Sequence, residues 1–170
     1  AAGRVFGRRG PRLERLPALT CWPEDGGPFI TLPLVYTAHP DGKGPNLGMY
    51  RLHVYDSQTT GMHWQIGKGG GFHYAVAEER GHPLPVTVFL GGPPALILAA
   101  IAPLPENVPE LMLASLIAGE KLALCDGPGP HRLVASAEGL VGKSRLPKHV
   151  RPMVGGLALA ALAMITPQTL

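Results

Sequence analysis

The chain has 170 residues, of which 45% are hydrophobic and only 16% charged, with a net charge of +3. This composition supports one packed domain and excludes a disordered acidic or basic chain. The weak positive charge lacks the concentrated basic stripe of a nucleic-acid binder, and 23 glycines with 19 prolines imply many short elements joined by tight turns.

Residues 1–18 read as an N-terminal arm that carries the densest basic stretch, GRVFGRRGPRLER. PFITLPLVYT (28–37) is rich in β-branched and aromatic residues and predicts a strand, with Pro33 placing it at an edge or a bulge. LGMYRLHVYD (47–56) alternates, which predicts one strand with Tyr50, Leu52 and Val54 on one face and Met49, Arg51, His53 and Tyr55 on the other. MHWQI (62–66) is its expected hairpin partner. A glycine-dense loop, GKGGGFHY, precedes a short helix over FHYAVAEERG. LPVTVFLG (84–91) is a continuous apolar run and predicts a central strand.

Two helices follow. One is opened by Pro93 and Pro94; the other has Asn107 as N-cap, Glu110 in its first turn and Gly119 as C-cap. HRLVASAEGLV (131–141) predicts a last strand. MVGGLALAALAMI (153–165), in a divergent tail over 142–170, is shorter than the roughly 20 residues a membrane span needs and reads as a buried or interface helix. The fold class is α+β, mainly β, with short helices. Tyr50, Leu52, Val54, Val86, Val88 and Leu90 are its expected core. Cys21 and Cys125 fit no metal-ligand spacing. With no signal peptide, they suit a reduced, cytoplasmic setting.

Each chemistry-bearing residue has a bland reading beside the functional one. Arg51 in a strand suits a sheet rim, His63–Trp64 a half-buried pair, and Glu110 a helix-dipole partner. KGGGF is either a mobile loop or a nest of backbone N–H groups around a phosphate, with Lys68 adding charge. No GxGxxG, Walker A, GxSxG or HExxH pattern occurs. Taken together, Asn46, Glu110 and His63 offer an oxygen-rich ligand set suited to Mn²⁺ or Mg²⁺, and Arg51 with the glycine loop offers an anion-binding wall.

The order of these segments, from PFITLPLVYTAHPDGKGPNLGMYRLHVYDSQTTGMHW through KGGG to PLPVTVFLGGPPALILAAIAPLPENVPELMLASLIAGEKL, closely resembles the UbiD family of decarboxylases. The likeness runs from about Leu19 to Leu122, with an echo in VASAE (134–138). It implies a split β-barrel, over 19–141, that binds prenylated FMN (or FMN) with Mn²⁺ and K⁺. It implies an enzyme removing the carboxylate of aromatic or unsaturated acids, and a flavin prenyltransferase as cofactor supplier. By position, Asn46 and Glu110 match metal ligands, with His63 as a third. Met49, Tyr50, Arg51, His63, Trp64, Gln65, Lys68 and Gly69 match cofactor contacts. Arg51 matches the catalytic arginine that holds the substrate carboxylate.

The chain departs from the family after VASAE, where an acidic motif is expected. No Asp or Glu follows Glu138. The expectation is therefore a central flavin-binding domain that is inactive alone and completed by a complementary UbiD-type subunit or by a homo-oligomer. The alternative is a non-catalytic flavin-, metal- or partner-binding module.

Overall fold

The computed structural model describes residues 18–126, apart from Gln58, Ile66, Glu106 and Asn107, together with residues 2–4, 13, 16, 132–134 and 161–165. Its strands are β1 (Ala2–Arg4), β2 (Phe29–Ile30), β3 (Pro33–Ala38), β4 (Pro45–Met49), β5 (Leu52–Val54), β6 (Thr59–Met62), β7 (Leu84–Leu90), β8 (Leu124–Asp126), β9 (Arg132–Val134) and β10 (Ala161–Ile165). Its helices are α1 (Gly69–Glu79), α2 (Pro94–Ile101) and α3 (Glu110–Ala118). Eight strands form one antiparallel sheet in the order β2-β5-β6-β1-β10-β7-β3-β4, and β8 pairs with β9 alone.

The predicted strand over 28–37 is two strands, because Thr31 and Leu32 leave the ladder. Pro33 is neither at a sheet edge nor at a bulge. It opens β3, an interior strand, at the first position, where a missing N–H is tolerated. β3 is buried on both faces. Val35 belongs to the core under α1, and Leu34 to the core under α2 and α3. β7 is central, as its apolar run predicts.

The expected single strand over 47–56 also breaks, at Tyr50–Arg51. β4 pairs with β3, whereas β5 pairs with β2 and β6 at the far side of the sheet. Leu52 is three residue steps from Met49, and an extended chain covers at most about 3.5 Å per step. The two sides of the sheet must therefore approach within roughly 10 Å. The sheet is curled, and its seam is crossed by the chain at Tyr50–Arg51 without a hydrogen-bonded ladder to close it. The predicted hairpin exists, but its second strand is β6, with Leu52 opposite Met62. His63, Trp64 and Gln65 follow that strand rather than lie in it.

Three further expectations are corrected. The glycine-dense stretch is not a loop: Gly69, Gly70 and Gly71 are the first turn of α1, with Lys68 as N-cap. The N-cap of α3 is Pro109, and Asn107 lies outside the described residues. Within the tail expected to be helical, residues 161–165 form β10, which supplies β7 with a ladder it would otherwise lack. Ala2–Arg4 of the expected arm likewise pair, with β6 and β10. Gly119 is the predicted C-cap of α3, left-handed at φ 74°. Tyr50, Leu52, Val86 and Val88 are buried, while Val54 and Leu90 are half-buried against that core. The stretches 135–141 and 153–160 lie outside the described residues.

Candidate functional site

The site lies on both sides of the seam. On one side, β4 is an edge strand, and the outward N–H of Leu47 donates to Glu110 Oε2 at 2.8 Å. Glu110 is the first residue of α3, so the helix start fixes its carboxylate against the strand edge. Asn46, buried on the same strand, links this carboxylate to α1. With its side-chain amide turned so that nitrogen and oxygen both find partners, it donates to Glu110 Oε1 and accepts from Gly70 N–H, each at 3.2 Å. Gly70 N–H also donates to the Tyr50 hydroxyl at 3.1 Å.

The glycines explain how closely these parts approach. A Cβ on Gly69 would fall 2.0 Å from the Asn46 amide. One on Gly70 would fall 2.6 Å from Trp64 Cζ3 and 2.9 Å from the Tyr50 oxygen, and one on Gly71 would fall 2.7 Å from the Gln65 carbonyl. No side chain fits at the head of α1.

Burial pushes the Glu110 carboxyl above the ordinary carboxylate range, although the Leu47 N–H and its own backbone N–H pull the other way. No lysine or arginine pairs with it among the described residues. Burial likewise raises the Tyr50 phenol, opposed by the hydrogen bonds from Gly70 and Asn46. Two cavities flank the Asn46–Glu110 pair. One of about 280 Å³ is lined by Met49, Tyr50, Lys68 and Gly69. The other, of about 180 Å³, is lined by His39, Lys43 and His73. His73 is buried and hydrogen-bonded through Nδ1 to Thr37 Oγ1 at 2.8 Å. Burial and the neighbouring His39 ring lower its pKa to about 4.

On the other side of the seam, a cavity of about 520 Å³ is lined by Phe29, Met49, Tyr50, Arg51, His53, Tyr55, His63 and Gln65, among others. Arg51 is not in a strand. Its guanidinium lies 4.1 Å from the Phe29 ring centroid, and Nη1 is 3.6 Å from Asp25 Oδ1. Trp64 packs between Tyr50 and Tyr74, with ring centroids at 5.0 and 5.9 Å. Its buried indole N–H has no hydrogen-bond partner among the described residues.

The expected site residues thus fall into two groups. Asn46, Lys68, Gly69 and Glu110 line the smaller cavities, and Arg51, His63 and Gln65 line the larger one. Met49 and Tyr50 line both sides, as the wall between them. His63 does not line the cavities that hold Asn46 and Glu110. Among the described residues no three His, Cys, Asp or Glu side chains cluster as metal ligands. Asp25, the Tyr50 hydroxyl and the Thr37–His73 bond escape sequence reading. The only signal near Asp25 is the turn composition of WPEDGG.

The fold is α+β, and a helix N-terminus, a carboxylate with no ion pair among the described residues and a separate guanidinium lie around its seam. A sequence profile of the 3-octaprenyl-4-hydroxybenzoate carboxy-lyase Rift-related domain matches residues 4–143, and the chain belongs to this UbiD family. It is 54% identical over 134 residues to a Chlamydia pneumoniae protein named as one of the subunits of a 4-hydroxybenzoate decarboxylase, covering 78% of this chain and 23% of that one. Among solved structures it resembles the apo 3,4-dihydroxybenzoic acid decarboxylase of Enterobacter cloacae (TM-score 0.67, 28% identity, covering 96% of this chain and 38% of that one). It also shares the fold of the UbiD-class enzyme HmfF of Pelotomaculum thermopropionicum, solved with prFMN (TM-score 0.71, 24% identity, covering 95% and 40%). The chain spans about a quarter of the length of the curated relatives it matches.

Proposed function

We propose that this chain is the flavin- and metal-binding part of a UbiD-type decarboxylase acting on aromatic or unsaturated carboxylic acids. The observation that carries the reading is the Asn46–Glu110 pair at the head of α1: a half-buried carboxylate with no ion-pair partner among the described residues, beside backbone N–H groups that favour an anion. Asn46 and Glu110 would hold a divalent ion such as Mn²⁺, with K⁺ alongside, and that ion would neutralise the charge of a flavin phosphate. Lys68 and Gly69 would border the phosphate. The curled sheet with an unclosed seam stands where the family's split barrel is expected. The Trp64 N–H, with Met49 and Tyr50, would meet the ring system.

Prenylated FMN, when bound, would supply the electron sink that lets a carboxylate depart as CO₂. This chain's own residues do the positioning. Arg51 forks onto the substrate carboxylate, with His63 and Gln65 beside it. The Tyr50 hydroxyl accepts from Gly70 N–H and fixes the head of α1. In this reading His63, which lines the Arg51 cavity, belongs to the substrate side, and Asn46 and Glu110 are the metal ligands from this chain.

A general acid typically contributes 10²- to 10⁴-fold, and no Asp or Glu follows Glu138. The reading therefore includes an assembly in which further UbiD-type polypeptide, in a complementary subunit, supplies the acid. Exposed Leu98 and Ile101 on α2, and Met112 and Leu116 on α3, are apolar surface suited to such a partner. The second reading is a binding module without turnover.

Co-expression with a flavin prenyltransferase tests both. Colour with CO₂ release from aromatic acids supports the enzyme, and colour without release supports the module. Mn²⁺ electron paramagnetic resonance, with and without FMN, should show coupled binding that Glu110→Gln removes. An unchanged signal in that variant moves the metal elsewhere.

A further inference from the structure

We propose that Asp25 sets the charge of the ligand that the Arg51 cavity accepts, admitting an aromatic monocarboxylate and turning away a dianion. The inference rests on the reading above that Arg51 receives the ligand's carboxylate. The turn before β2 is built to deliver this second carboxylate. Asp25 Oδ2 accepts from Trp22 N–H at 3.2 Å, and Asp25 N–H donates to the Trp22 carbonyl, also at 3.2 Å. Gly26 and Gly27 then turn left-handed, at φ 73° and 149°. A Cβ on Gly27 would lie 2.8 Å from His53 Nε2, so the turn is seated against the cavity wall. Oδ1, left over from the turn, faces Arg51.

The pair is asymmetric. The Asp25 side chain is only 11% exposed, whereas that of Arg51 is 55% exposed. At 3.6 Å their contact is an ion pair too long for a good hydrogen bond. Arg51 therefore keeps donors free for an incoming carboxylate, since a guanidinium carries five N–H groups. Its charge is not equally free. Among the described residues Arg51 is the only lysine or arginine lining the cavity, and Asp25 already balances it. One ligand carboxylate can be held by the open donors, with its ring against Phe29, Tyr50 and Tyr55. A second anionic group would meet no further lysine or arginine of the lining and would be repelled by Asp25.

Calorimetric titration of the full chain with benzoate and with isophthalate tests this without requiring turnover. Asp25→Asn keeps an oxygen for the Trp22 N–H and removes only the charge. It should raise isophthalate affinity about tenfold more than benzoate affinity, the scale of one unscreened like charge across a partly buried site. Asp25→Glu, which keeps the charge, should retain the wild-type preference. An unchanged benzoate-to-isophthalate ratio in Asp25→Asn overturns the proposal. Arg51→Ala separates the two levels of failure. If it abolishes benzoate binding while Asp25→Asn leaves the ratio alone, only the role of Asp25 falls. If it leaves benzoate binding intact, Arg51 is not the carboxylate receptor and both readings fall.

Discussion

The cavity around Arg51 and the cavities around Glu110 lie on either side of one short stretch, Asn46–Arg51, yet they hold their charged groups in opposite ways. Arg51 is exposed, stacked on Phe29 and already paired with Asp25. Glu110 is half-buried, hydrogen-bonded to neutral groups, and has its pKa raised by burial. A charge balanced in advance discriminates among ligands, because a newcomer must share what is there. A buried charge without a partner recruits one, because a cation relieves its desolvation. One side of the seam is thus suited to selection and the other to capture.

The largest expected effect falls on the capture side. Gly69→Ala places a Cβ 2.0 Å from the Asn46 amide, and overpacking of this kind costs about 1–3 kcal/mol. Urea denaturation should show that loss, and FMN titration with Mn²⁺ should show binding abolished. Wild-type FMN affinity in this variant would detach the head of α1 from the cofactor.

The next effect is a pH window. His73 is held neutral with a pKa of about 4, below the ordinary 6.5. A group with a depressed pKa contributes stability that is present above pH 6.5 and lost as the pH falls through 4. The urea midpoint should decline across that window, and His73→Gln should flatten the decline. A midpoint equally steep in the variant would assign the acid sensitivity to another group.

Glu110 shows the opposite sign. Its folded pKa lies above the ordinary 4.5, so its contribution is present below that value and lost as the pH rises through the folded pKa. Metal-free Glu110→Gln should therefore be at least as stable as the wild type at pH 7, while losing Mn²⁺ coupling. A less stable metal-free variant would show that the carboxylate is not the strained partner.

The smallest effect is on stability at Arg51. An ion pair with one exposed partner, at 3.6 Å, is worth about 1 kcal/mol or less, so Arg51→Ala should shift the urea midpoint little while weakening benzoate binding. A large loss of stability would make Arg51 a structural clamp rather than a receptor.

Sequence order disclosed the central β7, the Pro94 start of α2 and the Gly119 stop of α3, because each rests on local chemistry: an apolar run, a fixed φ and a left-handed cap. It also named residues that line the cavities on both sides of the seam. It missed the break at Tyr50–Arg51, since alternation continues through the break and only the pairing of β4 with β3 and β5 with β2 reveals it. The helical start at Gly69 was hidden because three glycines read as flexibility, whereas their role is to let Asn46, Tyr50 and Trp64 come close. Asp25 was hidden because its approach to Arg51 depends on a turn seated against His53, twenty-six residues later in the chain than Gly27.

The seam has a consequence for how this stretch can change over evolutionary time. Asn46, Tyr50 and Arg51 are held in three different environments by spacing alone. An inserted or deleted residue between them would reverse the faces of everything beyond it. Loops such as Asp41–Lys43 can grow or shrink at little cost, but this hexapeptide cannot. Length variation among functional homologues should therefore accumulate on both sides of Asn46–Arg51 and stop at its ends. Point substitutions within it would be tolerated one cavity at a time, so that the capacity to hold a cofactor and the choice of ligand can drift separately.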